Sequence, residues 1–130
     1  MLLRRLAFFL AAAGLLGACG RAAPALPGFD AAAWRRDPYG CQGVRQQQIK
    51  PLLQGKEQLY GVRTSDVEQL LGRPDEEELA EQTEKIYCYY LAPGPQCEPA
   101  HPRSGINKLR VRFGSLGTVI EVLPEQPVPR

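Results

Sequence analysis

Apolar and polar positions alternate most regularly over Asn107–Phe113. Leu109, Val111 and Phe113 fall on one side of an extended strand, and Lys108, Arg110 and Arg112 on the other. One dry and one wet face is the pattern of an antiparallel sheet. Gly114-Ser115-Leu116-Gly117 then predicts a hairpin turn, and Thr118–Leu123 the returning strand, with Pro124, Pro127 and Pro129 ending it. Lys85–Leu91 is rich in aromatic and β-branched residues and predicts a strand with both faces partly covered. The period changes to that of a helix over Thr64–Leu71, where Val67, Leu70 and Leu71 share a face. Ser65 and Glu68 have capping-box spacing, Gly72 suits a left-handed C-terminus, and Pro74 forbids continuation. Val44–Gln54 predicts a second helix on Val44, Ile49, Leu52 and Leu53, with a kink or early end at Pro51.

Phe29–Asp37 predicts one short helix. Asp30 is its cap, Phe29 and Trp34 form a hydrophobic staple, and Pro38 and Gly40 are its stop. Trp34 is thereby assigned to the core. Asp75–Glu84 holds six carboxylates in ten residues and reads as a solvated loop or a lead-in to the next strand. Residues 92–106 hold Pro93, Gly94, Pro95, Pro99, Pro102 and Gly105 and read as a long loop. Two helices followed by three strands, ααβββ, predict a single two-layer α+β domain over residues 29–124. In it both helices pack on a three-stranded antiparallel meander.

The N-terminus has a different character. Arg4 and Arg5 precede the unbroken apolar or small run Leu6–Leu16. Its 11 residues would span roughly 16 Å as a helix, about half a bilayer core, which suits a signal h-region better than a membrane anchor. Leu16-Gly17-Ala18-Cys19 follows and resembles a lipobox. Residues 1–18 are therefore expected to be a lipoprotein signal peptide, and Cys19 the lipid-bearing residue. Residues 19–28, rich in Pro, Gly and Ala, are expected to be a flexible tether, and 125–130 a disordered tail. Gly20, in place of Asp, resembles the sorting context of outer-membrane lipoproteins.

Composition adds two constraints. Cleavage after Ala18 removes two of the 16 basic residues and none of the 14 acidic ones, so the remaining chain is formally neutral. A nucleic-acid partner loses its electrostatic support. With Cys19 lipidated, Cys41, Cys88 and Cys97 remain in an oxidising compartment, which implies one disulfide and one free thiol. Spacing alone does not fix the pairing. Cys41 and Cys97 both sit among turn residues and Cys88 inside a strand, which favours Cys41–Cys97. Closing that loop would contribute about 4 kcal/mol, against about 3 for Cys88–Cys97.

Little chemistry is written into the chain. His101 is the single histidine and lies in the Pro-rich loop, far from any patterned nucleophile, so no enzyme is expected. There is no Cys-x-x-Cys to supply a redox pair or half a zinc site, so no metal or cofactor is expected. A candidate interaction surface is Tyr87 and Tyr89 beside Arg110 and Arg112, since Tyr and Arg anchor many interfaces. The alternative is that these tyrosines fill the layer between helices and sheet. A second candidate is the loop 92–106, as a site for a small ligand or cell-wall component.

The run Leu59-Tyr60-Gly61-Val62, then Val67, then Leu70-Leu71-Gly72-Arg73-Pro74, resembles the helix motif of the small outer-membrane lipoproteins of the SmpA/OmlA (BamE-like) group. Tyr87 and Tyr89 in the first strand, and Leu109, Val111, Phe113 and Gly117 later, match the same group. The resemblance spans residues 44–123 and adds the lipobox. Arg63 stands where the group has a capping Thr or Ser, and Cys41 and Cys97 are not general to it, which marks a divergent member. The resemblance implies a module facing the periplasm whose partner is an outer-membrane protein or assembly complex. The matching positions are packing and turn residues, so it implies no partner-binding residue.

Overall fold

The computed structural model describes residues 23–125. The signal segment, Cys19 and the tail from 126 lie outside the described residues. Three α-helices, α1 (Ala31–Arg35), α2 (Val44–Gln54) and α3 (Thr64–Leu71), precede four strands. These are β1 (Glu76–Leu79), β2 (Lys85–Tyr90), β3 (Lys108–Phe113) and β4 (Val119–Glu125). The sheet is an antiparallel meander in the order β1-β2-β3-β4. Among the described residues no helix is long and apolar enough to cross a membrane.

The α+β class is as expected. The count of three strands and the order ααβββ are corrected, because the acidic stretch 75–84 contributes β1 and the short N-terminal helix stands as an element of its own. Glu-rich sequence is a poor strand former in isolation. Here Glu76 pairs with Cys88 and Glu78 with Ile86 in register, and Lys108 and Arg110 reach across to neutralise both carboxylates.

The helices cover one face of the sheet. Trp34, Leu52, Val67 and Leu71 pack there against Tyr87, Tyr89, Leu109, Val111 and Phe113. α1 starts as its sequence dictates. Asp30 accepts the amide of Ala33 at 3.0 Å, and the Phe29 and Trp34 rings lie 5.6 Å apart. It ends at Arg35, earlier than expected, because Asp37 leaves it to cap α2. The Asp37 carboxylate accepts the amides of Gln42, Val44 and Arg45 at 2.7, 2.9 and 3.1 Å. α2 runs through Pro51 to Gln54 without the expected early end. Its last turn buries Leu52 completely.

The expected capping box of α3 does not form. Arg63 occupies the cap position, and no side chain bonds the helix start. That segment is instead tied to β4. Thr64 donates its amide and hydroxyl to the Gly117 carbonyl at 3.1 and 3.0 Å, and Gly61 and Val62 exchange hydrogen bonds with Val119. At the N-terminal side the packed chain begins before the expected domain boundary. Leu26 is buried, its side chain lying against Gly55. A lone leucine between prolines has no period to reveal it.

Candidate interaction surface

The face of the sheet away from the helices is a charged lattice built by strand alternation. β3 presents Lys108, Arg110 and Arg112. In register beside them β2 presents Tyr90, Cys88 and Ile86, and β4 presents Glu125, Leu123 and Glu121. β1 adds Glu76 and Glu78. The basic side chains lie over β2 to reach acids beyond it. Lys108 meets Glu76 at 3.1 Å, Arg110 meets Glu78 at 3.0 Å, and Arg112 meets Glu84 at 3.1 Å. On the other side Arg110 and Arg112 approach Glu125 and Glu121 at 3.4 and 3.5 Å. The aliphatic stems of these cations cover the apolar row, a common use of amphipathic side chains. With Tyr39 and Ser104 closing over Tyr90, they leave Ile86, Cys88 and Tyr90 buried on a face with no α-helix.

Tyr87 and Tyr89 are elsewhere. Both point to the helix side, where Tyr87 donates to Glu68 at 2.7 Å and Tyr89 to the Gly72 carbonyl at 3.0 Å. They are 2% and 0% exposed. The four residues expected to form one surface therefore sit on opposite faces. The tyrosines fill the layer, and the arginines are engaged in ion pairs. Parity along each strand carries this distinction, since Tyr87 and Tyr89 share a face with Val111 and Leu109 in register.

Behind the sheet's upper end lies a buried polar network that no short motif announces. Arg45 is 2% exposed, pairs with Asp75 at 2.7 Å, and donates to the Trp34 carbonyl at 3.1 Å. Its guanidinium sits 5.2 Å from the Trp34 ring centroid. Asp75 also accepts the amides of Tyr39 and Tyr90 at 3.0 and 2.8 Å. Each charge is thus paired and hydrogen-bonded, the condition under which burial is tolerated.

The loop 92–106 is fastened to this network. Cys41 and Cys97 form a disulfide. Gln96, fully buried, donates to the carbonyls of Tyr39 and Ala92 at 3.1 and 2.6 Å and accepts from Ser104 at 2.6 Å. The Tyr39 and His101 rings stack at 3.9 Å, both residues with positive φ, 60° and 46°. Gly40 is required beside them. Its φ is 66°, and a Cβ there would come within 2.7 Å of the Tyr90 carbonyl. One cleft beside this loop is lined by Pro38, Tyr39, Arg73, Pro74 and Asp75, and others lie on the sheet. One of about 300 Å³ is lined by Ile86, Arg110, Arg112, Leu123 and Pro124.

Glu76, Glu78 and Cys88 bring three ligand-type atoms within 4.8 Å of one another. Both carboxylates are held by cations, and burial pushes the Cys88 thiol up to about 12. A metal would have to displace Lys108 and Arg110 and ionise that thiol, so the donor set is poorly suited to one.

Comparison with protein-family models, curated proteins and solved structures returns no match to this chain.

Proposed function

We propose that the chain is a non-catalytic cell-envelope lipoprotein, anchored in the outer membrane through Cys19 and serving as an interaction module on the periplasmic side. The observation that carries this reading is the Cys41–Cys97 disulfide, 56 residues apart in sequence, in a chain whose leader ends in a lipobox. Bridges of this kind belong to oxidising compartments, which an exported chain reaches. The resemblance to SmpA/OmlA lipoproteins supports an outer-membrane partner or assembly complex. Its motif residues Leu59, Val62, Val67 and Leu71 are buried, so it speaks to packing and leaves the partner-binding residues open.

Metabolic labelling with palmitate tests the anchor. Label should enter the wild-type chain and be lost in Cys19→Ala; undiminished labelling of the variant overturns the anchoring and the location together. Pull-down from detergent-solubilised envelope tests the role, and recovery of no protein partner counts against it.

A further inference from the structure

The two edges of the sheet are treated differently. β4 is closed along its first half, where Gly61 donates to Val119 at 2.9 Å, Val119 donates to Val62 at 2.9 Å, and Arg63 bridges Thr118. Its second half contains Pro124, which has no N–H to offer. Among the described residues nothing pairs with the outer side of β1.

The pairing pattern shows which β1 groups are free. Ala80 donates to Glu84 across the ladder at 2.8 Å, and in two-residue steps Glu78 and Glu76 face β2 with it, opposite Ile86 and Cys88. Antiparallel alternation then turns the amides and carbonyls of Glu77 and Leu79 outward. The side chains of both residues are exposed, Leu79 to 77%. Glu76 and Glu78 have cations, but among the described residues no ion pair involves Glu77 or the neighbouring Glu81.

We infer that the outer edge of β1 receives an extended segment of a partner protein, added as a fifth strand, in which basic residues alternate with apolar ones. The edge supplies main-chain donors and acceptors for affinity, and its side chains set the choice of partner. The neighbours of Glu77 and Leu79 on an added strand lie two residues apart on one face, so its basic residues fall opposite both, their cations meeting Glu77 and their aliphatic stems covering Leu79. A second copy of this chain is disfavoured, because β1 against β1 would set carboxylate opposite carboxylate. The chain's own solution to the same problem points the same way: Lys108 and Arg110 of β3, a strand of alternating basic and apolar residues, neutralise Glu76 and Glu78. The inference rests on the reading of an interaction module and names the class of partner. It fails separately from the anchor, since palmitate labelling of Cys19 does not depend on this edge.

The test uses the full-length chain in detergent, labelled for NMR, and a terminally blocked peptide (Arg-Val)3. Saturable shifts and slowed amide exchange are expected at Glu77 and Leu79, with none from (Glu-Val)3. Glu77→Pro removes an outward N–H that the fold does not use and should abolish binding. Glu77→Lys should weaken it about threefold at low salt, and Leu123→Asp on the opposite strand should leave it unchanged. Binding that persists in a folded Glu77→Pro chain overturns the proposal, as does protection at Val122 in place of β1. Should Glu77→Pro not fold, a peptide N-methylated at alternate amides takes its place, and equal affinity of that peptide overturns the proposal. Equal binding of (Glu-Val)3, or self-association through β1, does so as well.

Discussion

Asp37, Arg45 and Asp75 show how single charged residues can organise a fold from inside it. Asp37 ends one helix and starts the next, with three amides on its carboxylate. Arg45, the second residue of α2, reaches the carboxylate that opens β1 and the carbonyl of Tyr90 at the end of β2. Removing one partner of such a pair leaves the other charged and buried. Arg45→Met should therefore cost about 3–5 kcal/mol. Urea unfolding would measure it, and Arg45→Met with Asp75→Asn should recover part of the loss. Destabilisation of the double variant equal to the sum of the two single ones would show that the pair is not coupled. None of this was readable from sequence. One arginine and two aspartates spread over residues 37–75 form no motif, and the pairing exists only once the sheet has brought β1 beside β2.

The elements that were readable are those in which pattern and environment agree. β3 and α3 show their buried faces directly in the sequence, and the turn residues around Cys41 and Cys97 favour the pairing that the structure holds. β1 is hidden because its sequence contradicts its state. Glu76 and Glu78 are accepted in a strand only because β3, some thirty residues later, carries cations of matching parity. The faces of Tyr87 and Tyr89 follow from parity once register is known, and register is a property of the assembled sheet. The disulfide acts at this scale too, tying the turn before α2 to the loop between β2 and β3. Its removal in Cys41→Ala/Cys97→Ala should lower stability by about 4 kcal/mol, read as a shift in denaturation midpoint. Exchange protection should be lost first around Gln96 and Tyr39. Unchanged stability would mean that Gln96 and Ser104 hold the loop unaided.

At the scale of the whole domain, one thiol, three tyrosines and one lysine are all shifted upward. Burial pushes the Cys88 thiol from 9.0 up to about 12. It also raises Tyr87, Tyr89 and Tyr90, with Glu68 adding to the effect on Tyr87 and Glu76 to that on Tyr90. Burial alone would lower Lys108, but its hydrogen bond to Glu76 raises it on balance. For every one of these groups the folded chain holds its proton more tightly than the unfolded chain. The stability they contribute is complete below the unfolded values and is lost as pH rises through the folded ones. Unfolding free energy should thus fall on the alkaline side, beginning near pH 9 and steepening above it, where Cys88 contributes at most about 1.4 kcal/mol per pH unit. Chemical denaturation from pH 7 to 11 would show this. Cys88→Ala should delay the onset towards the tyrosine range, and an unshifted onset would remove the thiol from the account.

The burial of Leu26 against Gly55 has a consequence for reach. With the lipid on Cys19, as proposed, the leash can be no longer than the stretch from that residue to Leu26, and Ala23 already packs against the core. Seven peptide links span at most about 25 Å, less than the thickness of a bilayer with its headgroups. The domain would then search only a thin shell of periplasm above the membrane. Any strand that meets the β1 edge must be offered within that shell, from a protein embedded in the membrane or resting on it. Confinement of this kind raises the effective concentration of such a partner, so a weak strand pairing could suffice where a freely diffusing protein would need a larger interface.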